Sequence, residues 1–226
     1  MAKRPIFYAN REGIPFIYEN DIEFSYYSGF SFSQKQKSII SLHERIKDEY
    51  PDKSILEVST KSLNKLGSKL SAFNLLYKAI NHSKAYSVEN HFQSSKVFKN
   101  AGPFLDLLSV TPLEAKRDER IKNSGELIYF LFNGDGSQWN LEPKTAFYDW
   151  LYISALAQNE DLSNEVCKYD IFTDIEFNPK KSFNCQARAL ALFVSLKANG
   201  LVKKFINEKG NINNLYKKEF VQNQLF

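Results

Sequence analysis

Three segments of the chain carry hydrophobic patterns that predict β-strands. The segment "IEFSYY" alternates apolar Ile22, Phe24 and Tyr26 with polar residues, a period of two that is typical of a half-buried strand. The segment "SILEVST" at residues 54–60 is a second predicted strand. The third, "ELIYFLF" at residues 126–132, is continuously apolar and ends at the turn-forming sequence "NGDG".

Apolar residues three and four positions apart predict a helix that begins after Ser33. We expect Ser33 to cap this helix, with Gln36 as its capping-box partner. Pro51 ends it, because proline lacks the backbone N–H that would continue the helix. The residues that share one face of the predicted helix are Ile39, His43, Ile46 and Tyr50.

Four later segments also show helical signals. Spaced leucines predict a helix from about Ser62, and "TPLEAKRDERIK" has a complete capping box formed by Thr111 and Glu114, with Pro112 between them. The segments "KTAFYDWLYISALAQ" and "SFNCQARALALFVSLKANG" predict longer helices, the second ending at Gly200. Their inward-facing residues are predicted to be Ala146, Trp150, Ile153, Ala157, Ala187, Leu190, Ala191 and Val194.

The order of these elements predicts a fold class. Helices dominate, the strands are few, and the regular strand–helix alternation of a doubly wound parallel sheet is missing. We therefore expect a single, predominantly helical α+β domain over residues 1–226. Residues 203–226 are rich in Lys and Asn, and we expect a loosely held end there.

Composition narrows the function classes. The 226 residues are 43% hydrophobic and 15% aromatic, and the formal net charge of +4 permits a polyanionic partner without requiring one. No apolar run is long enough for a membrane span, and no secretory signal is recognisable. Cys167 and Cys185 form no disulfide framework, which fits a reducing cytoplasm, and three scattered histidines do not indicate a metal centre.

The stretch "YSVENHFQSSKVF", Tyr86 to Phe98, combines apolar and chemically active residues. Its pattern predicts one helix, capped by Ser87. Glu89, Gln93 and Lys96 form a polar stripe, with Glu89 and Lys96 roughly 10 Å apart along a helix axis. The stripe is either a solvated edge or the lining of a site that holds a ribose-sized ligand between the carboxylate and the ammonium.

Other charged groups allow both a structural and a functional interpretation. Lys35 and Lys37 fall in the predicted first turn of their helix, where they are either solvated or part of a phosphate site. A second basic group, on the helix after Thr111, is a mixed-charge surface or a set of phosphate contacts; it consists of Lys116, Arg117 and Arg120. Asp174, Glu176 and Asn184 lie in a loop before a helix, where such residues serve as caps or as catalytic groups.

Several of these segments together resemble the NADAR family, also known as YbiA-like proteins. The similarity runs from about Leu70 to Leu196, and the helix with Glu89, Gln93 and Lys96 matches the family's in order and spacing. The matching segments are "SAFNL", "SVENHFQSSKVF", "EAKRDER", "TDIEF" and "NCQAR". The remaining segments, including "FSYYSGFSFSQKQKSI" and "EPKTAFYDWLYI", are similar to one branch, the NADAR antitoxins paired with DarT-type DNA ADP-ribosyltransferase toxins. Residues 1–60 would be specific to that branch.

The resemblance implies an activity and partners. Such antitoxins remove ADP-ribose from guanine bases of DNA by hydrolysing the ribose–nitrogen bond, so the expected partners are ADP-ribosylated DNA, ADP-ribose and a cognate toxin, with no cofactor or metal. Two alternatives stay open: an N-glycosidase of riboflavin-pathway ribosylamino pyrimidines, and a non-catalytic antitoxin that binds ADP-ribose or the toxin.

On this basis the candidate residues take roles. Glu89, and after it Asp174, is expected to stabilise the positive ribose, while Lys96 holds Glu89 ionised, binds hydroxyls or engages the ribose carbon. Gln93 or Asn184 would hydrogen-bond the departing nitrogen. The expected pyrophosphate ligands are Lys35, Lys37 and Arg117, a further ligand-binding residue is Asn74, and the rings considered for stacking on a base are Phe30, Phe32 and Trp150.

Overall fold

The start of the chain forms a hairpin in a four-stranded sheet. The computed structural model describes residues 1–29 and 31–209. Strands β1 (Ala2–Ala9) and β2 (Ile17–Phe24) pair antiparallel, and β1 also pairs antiparallel with β9 (Ile171–Thr173). Strand β3 (Ile55–Glu57) lies parallel to β9 and completes the order β2-β1-β9-β3. Glu57 and Thr173 are therefore neighbours at the carboxyl ends of two parallel strands.

Two smaller antiparallel sheets lie later in the chain. Strands β4 (Leu76–Tyr77) and β5 (Tyr86–Ser87) pair with each other. Strands β6 (Lys96–Phe98), β7 (Leu127–Phe132) and β8 (Ser137–Trp139) form a three-stranded sheet with β7 in the centre.

Helices connect and cover these sheets. In chain order they are α1 (Phe32–Glu49), α2 (Lys65–Lys69), α3 (Val88–Ser94), α4 (Pro112–Arg117), α5 (Arg120–Asn123), α6 (Ala146–Ala157), α7 (Glu160–Glu165), α8 (Gln186–Ala198) and α9 (Val202–Asn207). Two short 3₁₀ helices occupy Leu105–Leu108 and Val166–Lys168. In the part of the chain that the structure describes, no helix is both long and apolar enough to cross a membrane.

Helices α6 and α8 form the centre of the main core. Every residue of α6 from Ala146 to Leu156 is buried, and its Trp150 and Phe147 pack in an aromatic cluster with Phe132 and Trp139. Of the four residues predicted on one side of α6, Ala146, Trp150 and Ile153 are buried and Ala157 is exposed. The other sides of the helix are buried as well. A second, smaller core lies between α1 and the β1–β2 hairpin.

Most of the predicted elements are confirmed, and the fold is α+β. Strand β7 and helices α6 and α8 occupy their predicted segments, and the inward-facing residues predicted for α8 are all buried. Thr111 and Glu114 form the predicted capping box of α4. Gly200 has φ +68°, a conformation that favours glycine after a helix end.

Several predicted boundaries were wrong. Ser31, not Ser33, caps α1, and its hydroxyl accepts the Gln34 N–H, so Lys37 lies beyond the first turn. Helix α2 begins after Asn64, whose side chain caps it. The predicted single helix after Thr111 is two helices, since α4 ends at Arg117 and α5 begins at Arg120. Between them, the Asp118 carboxylate accepts a hydrogen bond from the Arg120 side chain.

The predicted loose end lies only partly within the described residues. Helix α9 contributes the buried Phe205 to the main core. Residues 210–226 are outside the described part of the chain.

Candidate functional site

The stretch from Tyr86 to Phe98 is not one helix but a strand, a helix and a strand. Ser87 caps α3 by accepting the Asn90 N–H, as predicted, and Val88, the first residue of the helix, is buried. The prediction of a continuous helix was wrong because the chain leaves α3 at Ser94. Residues 96–98 pair with the central strand β7, opposite Phe130 and its neighbours.

Glu89, Gln93 and Lys96 form a hydrogen-bonded chain across this helix end. The Gln93 side-chain Nε2 donates to Glu89 Oε1 at 2.8 Å, and Lys96 Nζ donates to Gln93 Oε1 at 2.7 Å. Both Glu89 and Gln93 are 5% exposed. The amide of Gln93 therefore connects a carboxylate to an ammonium, and only one orientation of that amide satisfies both neighbours.

The environment of Lys96 destabilises its charged form. Burial lowers the pKa of Lys96 to about 8; the Glu89 charge opposes this shift and the Lys116 charge adds to it. The ammonium also lies 4.9 Å from the centre of the Phe92 ring. Near pH 8, Lys96 is therefore divided between its ammonium and amine forms.

A second carboxyl group, Asp174, follows β9 and is held in place by Glu57. Glu57 Oε2 accepts the Thr173 hydroxyl at 2.6 Å, and Oε1 accepts the Ile175 N–H at 2.9 Å, so one buried carboxyl binds both neighbours of Asp174. Burial, and then the Glu57 charge, raise the pKa of Asp174 to about 8. Burial therefore favours the protonated form of Asp174.

His43 extends this arrangement from α1. The Thr173 hydroxyl donates to Glu57, so its oxygen accepts from His43 Nε2, 3.0 Å away. Burial lowers the pKa of His43 to about 4, so the ring is neutral at physiological pH. Glu57 was not among the residues predicted from the sequence, although a lone acidic residue inside an apolar strand is a signal for a buried carboxyl group.

Two further residues join the regions around Glu89 and Asp174. Burial raises the pKa of the Tyr148 hydroxyl, and the charges of Glu89 and Asp174 raise it further, which indicates that both carboxyl groups act on one buried region. Gln186 connects the loops: its Oε1 accepts the Ala72 N–H, while the Ala72 carbonyl accepts the Glu89 N–H.

The predicted phosphate ligands are either paired with other side chains or exposed on a helix surface. Lys35 donates to the Tyr26 hydroxyl and forms an ion pair with Glu176 at 3.2 Å. Burial lowers the pKa of Lys35, but these two partners outweigh it and the net shift is upward. Lys37 and Arg117 are exposed on α1 and α4.

The remaining candidates occupy different environments. Asn74 is exposed and donates to the Ser68 carbonyl, while Asn184 has a buried Oδ1 without a hydrogen-bond partner among the described residues. Trp150 is 2% exposed and donates to the Ile206 carbonyl, so it is a core residue and not a stacking platform. Phe32 is 50% exposed, and Phe30 lies outside the described residues.

The side chains described above define a class of site, and the match of the sequence to a family model defines the family. The site consists of a buried carboxylate–amide–ammonium chain and a second buried carboxyl group, Asp174, on an α+β scaffold. Within residues 1–29 and 31–209, no three His, Cys, Asp or Glu side chains are grouped to hold a metal ion. The model of the DarT1-associated NADAR antitoxin family matches residues 2–225, and the chain belongs to that family. No curated protein matches the chain.

Proposed function

We propose that this protein removes ADP-ribose from guanine bases of DNA by hydrolysing the ribose–nitrogen bond, and so reverses a DarT-type toxin in the cytoplasm. Its membership of the DarT1-associated antitoxin family supports the biological role. The observation that carries the chemistry is the buried Glu89 carboxylate, joined through Gln93 to Lys96. A carboxylate oriented in this way suits a reaction that develops positive charge on a sugar.

The first requirement of the reaction is to stabilise that charge. Breaking the bond between ribose C1 and nitrogen gives the ribose oxocarbenium character in the transition state. A preorganised carboxylate in a water-poor environment stabilises such a cation strongly, and Glu89 takes this role. The Gln93 hydrogen bond fixes one carboxylate oxygen, so Glu89 needs little reorganisation when the charge forms.

The second requirement is a proton for the departing base nitrogen. Asp174 supplies it, because its pKa of about 8 leaves the carboxyl group protonated at neutral pH. This assignment gives Asp174 a different role from the cation stabiliser expected from its residue type alone. Water then adds to C1 and gives a proton to the Asp174 carboxylate, which restores the acid and leaves free ADP-ribose and a DNA strand with unmodified guanine.

Gln93 and Lys96 prepare Glu89 for its role. The Gln93 amide binds both neighbours and so orients Glu89, and its second N–H is the group that would hydrogen-bond the departing base nitrogen. The Lys96 ammonium holds the other end of the Gln93 amide, and in this proposal it binds hydroxyl groups of the same ribose. A neutral Lys96 amine attacking C1 is the competing mechanism, and its lowered pKa makes the pH profile a direct test.

Mass spectrometry tests the proposed activity. A guanine-containing oligonucleotide carrying ADP-ribose is incubated with the protein, and we expect its mass to return to that of the unmodified strand with release of ADP-ribose. A phosphorylated ribosylamino pyrimidine is incubated in parallel. Turnover of the pyrimidine alone would support the N-glycosidase alternative, and binding of the modified strand without turnover would support a non-catalytic antitoxin.

A further inference from the structure

Three phenylalanine rings, those of Phe32, Phe73 and Phe183, each have a lysine ammonium over one face. The distances from the ammonium to the ring centre are 5.3 Å for Lys61 and Phe32, 5.2 Å for Lys116 and Phe73, and 4.1 Å for Lys144 and Phe183. Phe183 is 63% exposed and Phe32 is 50% exposed, although rings of this size are usually buried. We call these six residues the phenylalanine–lysine rim.

One side chain, Gln186, brings the three pairs together. Gln186 Nε2 donates to the Val58 carbonyl, three residues before Lys61, and Gln186 Oε1 accepts the N–H of Ala72, the residue before Phe73. Phe183 precedes Gln186 by three residues in the same segment. One member of each pair (Lys61, Phe73 or Phe183) therefore lies within three residues of Gln186 or of a residue that Gln186 binds at the start of α8.

The rim also adjoins the proposed reacting groups. The Ala72 carbonyl accepts the Glu89 N–H at 2.9 Å, so Phe73 begins one residue from the hydrogen bond that holds the first turn of α3. The Lys116 charge acts on both Lys96 and Asp174. Lys180 and Lys181 are exposed in the loop before Phe183 and add positive charge on that side.

We propose that the phenylalanine–lysine rim binds the unpaired nucleotides on either side of the modified base, with bases stacked on the rings and phosphates paired with the lysines. Exposed aromatic rings interleaved with cations are the combination that proteins use for single-stranded nucleic acids. Stacking requires an accessible base face, so the rim favours unpaired strands over a duplex. The identity of the modified base rests on the proposed function, but the binding of flanking nucleotides does not.

Fluorescence anisotropy with an unmodified, labelled, mixed-sequence oligonucleotide tests the rim without any turnover. Phe183→Ala removes one stacking surface and should weaken single-strand binding by about fivefold or more. Lys144→Gln should weaken binding and reduce the slope of log affinity against log salt by about 0.7, the value for one lost phosphate contact. The duplex of the same sequence should bind more weakly than the single strand.

Matched controls lie elsewhere on the sheet. Tyr18→Ala truncates an exposed aromatic residue on β2, and Lys53→Gln removes an exposed charge near the opposite end of β3 from Glu57; both should bind like the wild type. Circular dichroism checks that each variant is folded. Glu89→Gln should keep oligonucleotide binding even though it loses turnover, so a failure of the hydrolysis proposal is recognisable separately.

Three results would overturn the rim. The first is equal oligonucleotide affinity in the wild type, Phe183→Ala and Lys144→Gln. The second is a duplex that binds as tightly as the single strand. The third is loss of binding to the purified toxin in the two rim variants while oligonucleotide binding is unchanged, which would assign the surface to a protein partner.

Discussion

At the scale of single residues, the amide of Gln93 connects the two charges on which the proposed chemistry depends. Glu89 lies in the first turn of α3, where the helix dipole favours a carboxylate. Burial lowers the pKa of Lys96, and the charge of Glu89 opposes this shift. Neither charge contacts the other directly, so the geometry of the pair depends on the residue between them.

Replacing Gln93 should therefore affect both stability and activity. Gln93→Leu keeps the approximate size but leaves Glu89 and Lys96 each without a buried hydrogen bond, which should cost about 1–3 kcal/mol of unfolding free energy. We expect kcat to fall at least tenfold, because Glu89 loses its fixed orientation.

The matched control for this variant is Gln138→Leu on β8, the same substitution at an exposed position. Urea unfolding and a single-turnover assay are measured for both. Equal effects of the two substitutions would contradict the positioning role of Gln93.

Residue types and spacing predicted Glu89, Gln93 and Lys96 as one polar group, and the structure confirms that they are connected. The spacing could not show that Lys96 lies on a strand, since its partner on β7, Phe130, is 34 positions further along the chain. Glu57 was missed for the same reason. Its partners, Thr173 and Ile175, are brought beside it only when β9 inserts next to β3.

At the scale of elements, an ion pair ties the two central helices together. Arg188 on α8 donates to Asp149 Oδ2 on α6, and the Asp149 side chain is 1% exposed. A buried pair of this kind is weak evidence for net stabilisation, but breaking it from one side leaves an uncompensated charge. The pair therefore links α6 directly to α8.

Arg188→Met should accordingly destabilise the fold by about 3–5 kcal/mol. Arg45→Met is the control, because Arg45 pairs with Asp48 on the surface of α1 and both side chains are about half exposed. That control should change stability by at most about 1 kcal/mol. Chemical denaturation of the two variants decides the point, and similar midpoints would show that the central pair is not a structural requirement.

The elements that could be predicted are those whose signals are local. The capping box at Thr111, the apolar run of β7 and the stop at Gly200 each depend on a few adjacent residues, and each was confirmed. The burial of α6 on all sides was not predicted, because it depends on packing against α8 and the β6–β8 sheet, which the periodicity of the α6 sequence does not show. Tertiary contacts decided the features that local pattern could not.

At the scale of the whole molecule, three distant segments assemble one charged centre. Glu57 comes from the first sheet, Glu89 and Lys96 from the middle of the chain, and Asp174 from the loop before α8. Burial raises the pKa of Asp174 to about 8, because it opposes ionisation of the acid. Burial lowers the pKa of Lys96 to about 8, because it opposes protonation of the amine. Both carry a proton below that pH.

The pH dependence of turnover follows from these shifts. The proposed mechanism needs the Asp174 proton and the Lys96 ammonium, so kcat/KM should fall by about tenfold or more per pH unit above about 8. A series of hydrolysis rates measured from about pH 6 to about pH 9.5 tests this. A rate that rises through pH 8 would instead support attack by the neutral Lys96 amine.

Folding stability should respond to the same two groups in opposite directions. The folded-state pKa of Asp174 is raised, so its contribution to stability is lost as the pH rises toward about 8. The folded-state pKa of Lys96 is lowered, so above about 8 the unfolded chain binds more protons and this contribution increases with pH. Asp174→Asn should therefore flatten the fall in melting temperature between neutral pH and pH 8.

The most direct measurement is the single-turnover rate of Glu89→Gln on an ADP-ribosylated guanine oligonucleotide. Glutamine matches the carboxylate in shape but carries no charge, so the rate of ADP-ribose release should fall by about 10²–10⁴-fold while the affinity for the modified strand is retained. Release at the wild-type rate, by a folded variant that binds the strand normally, would contradict the central role of this buried carboxylate.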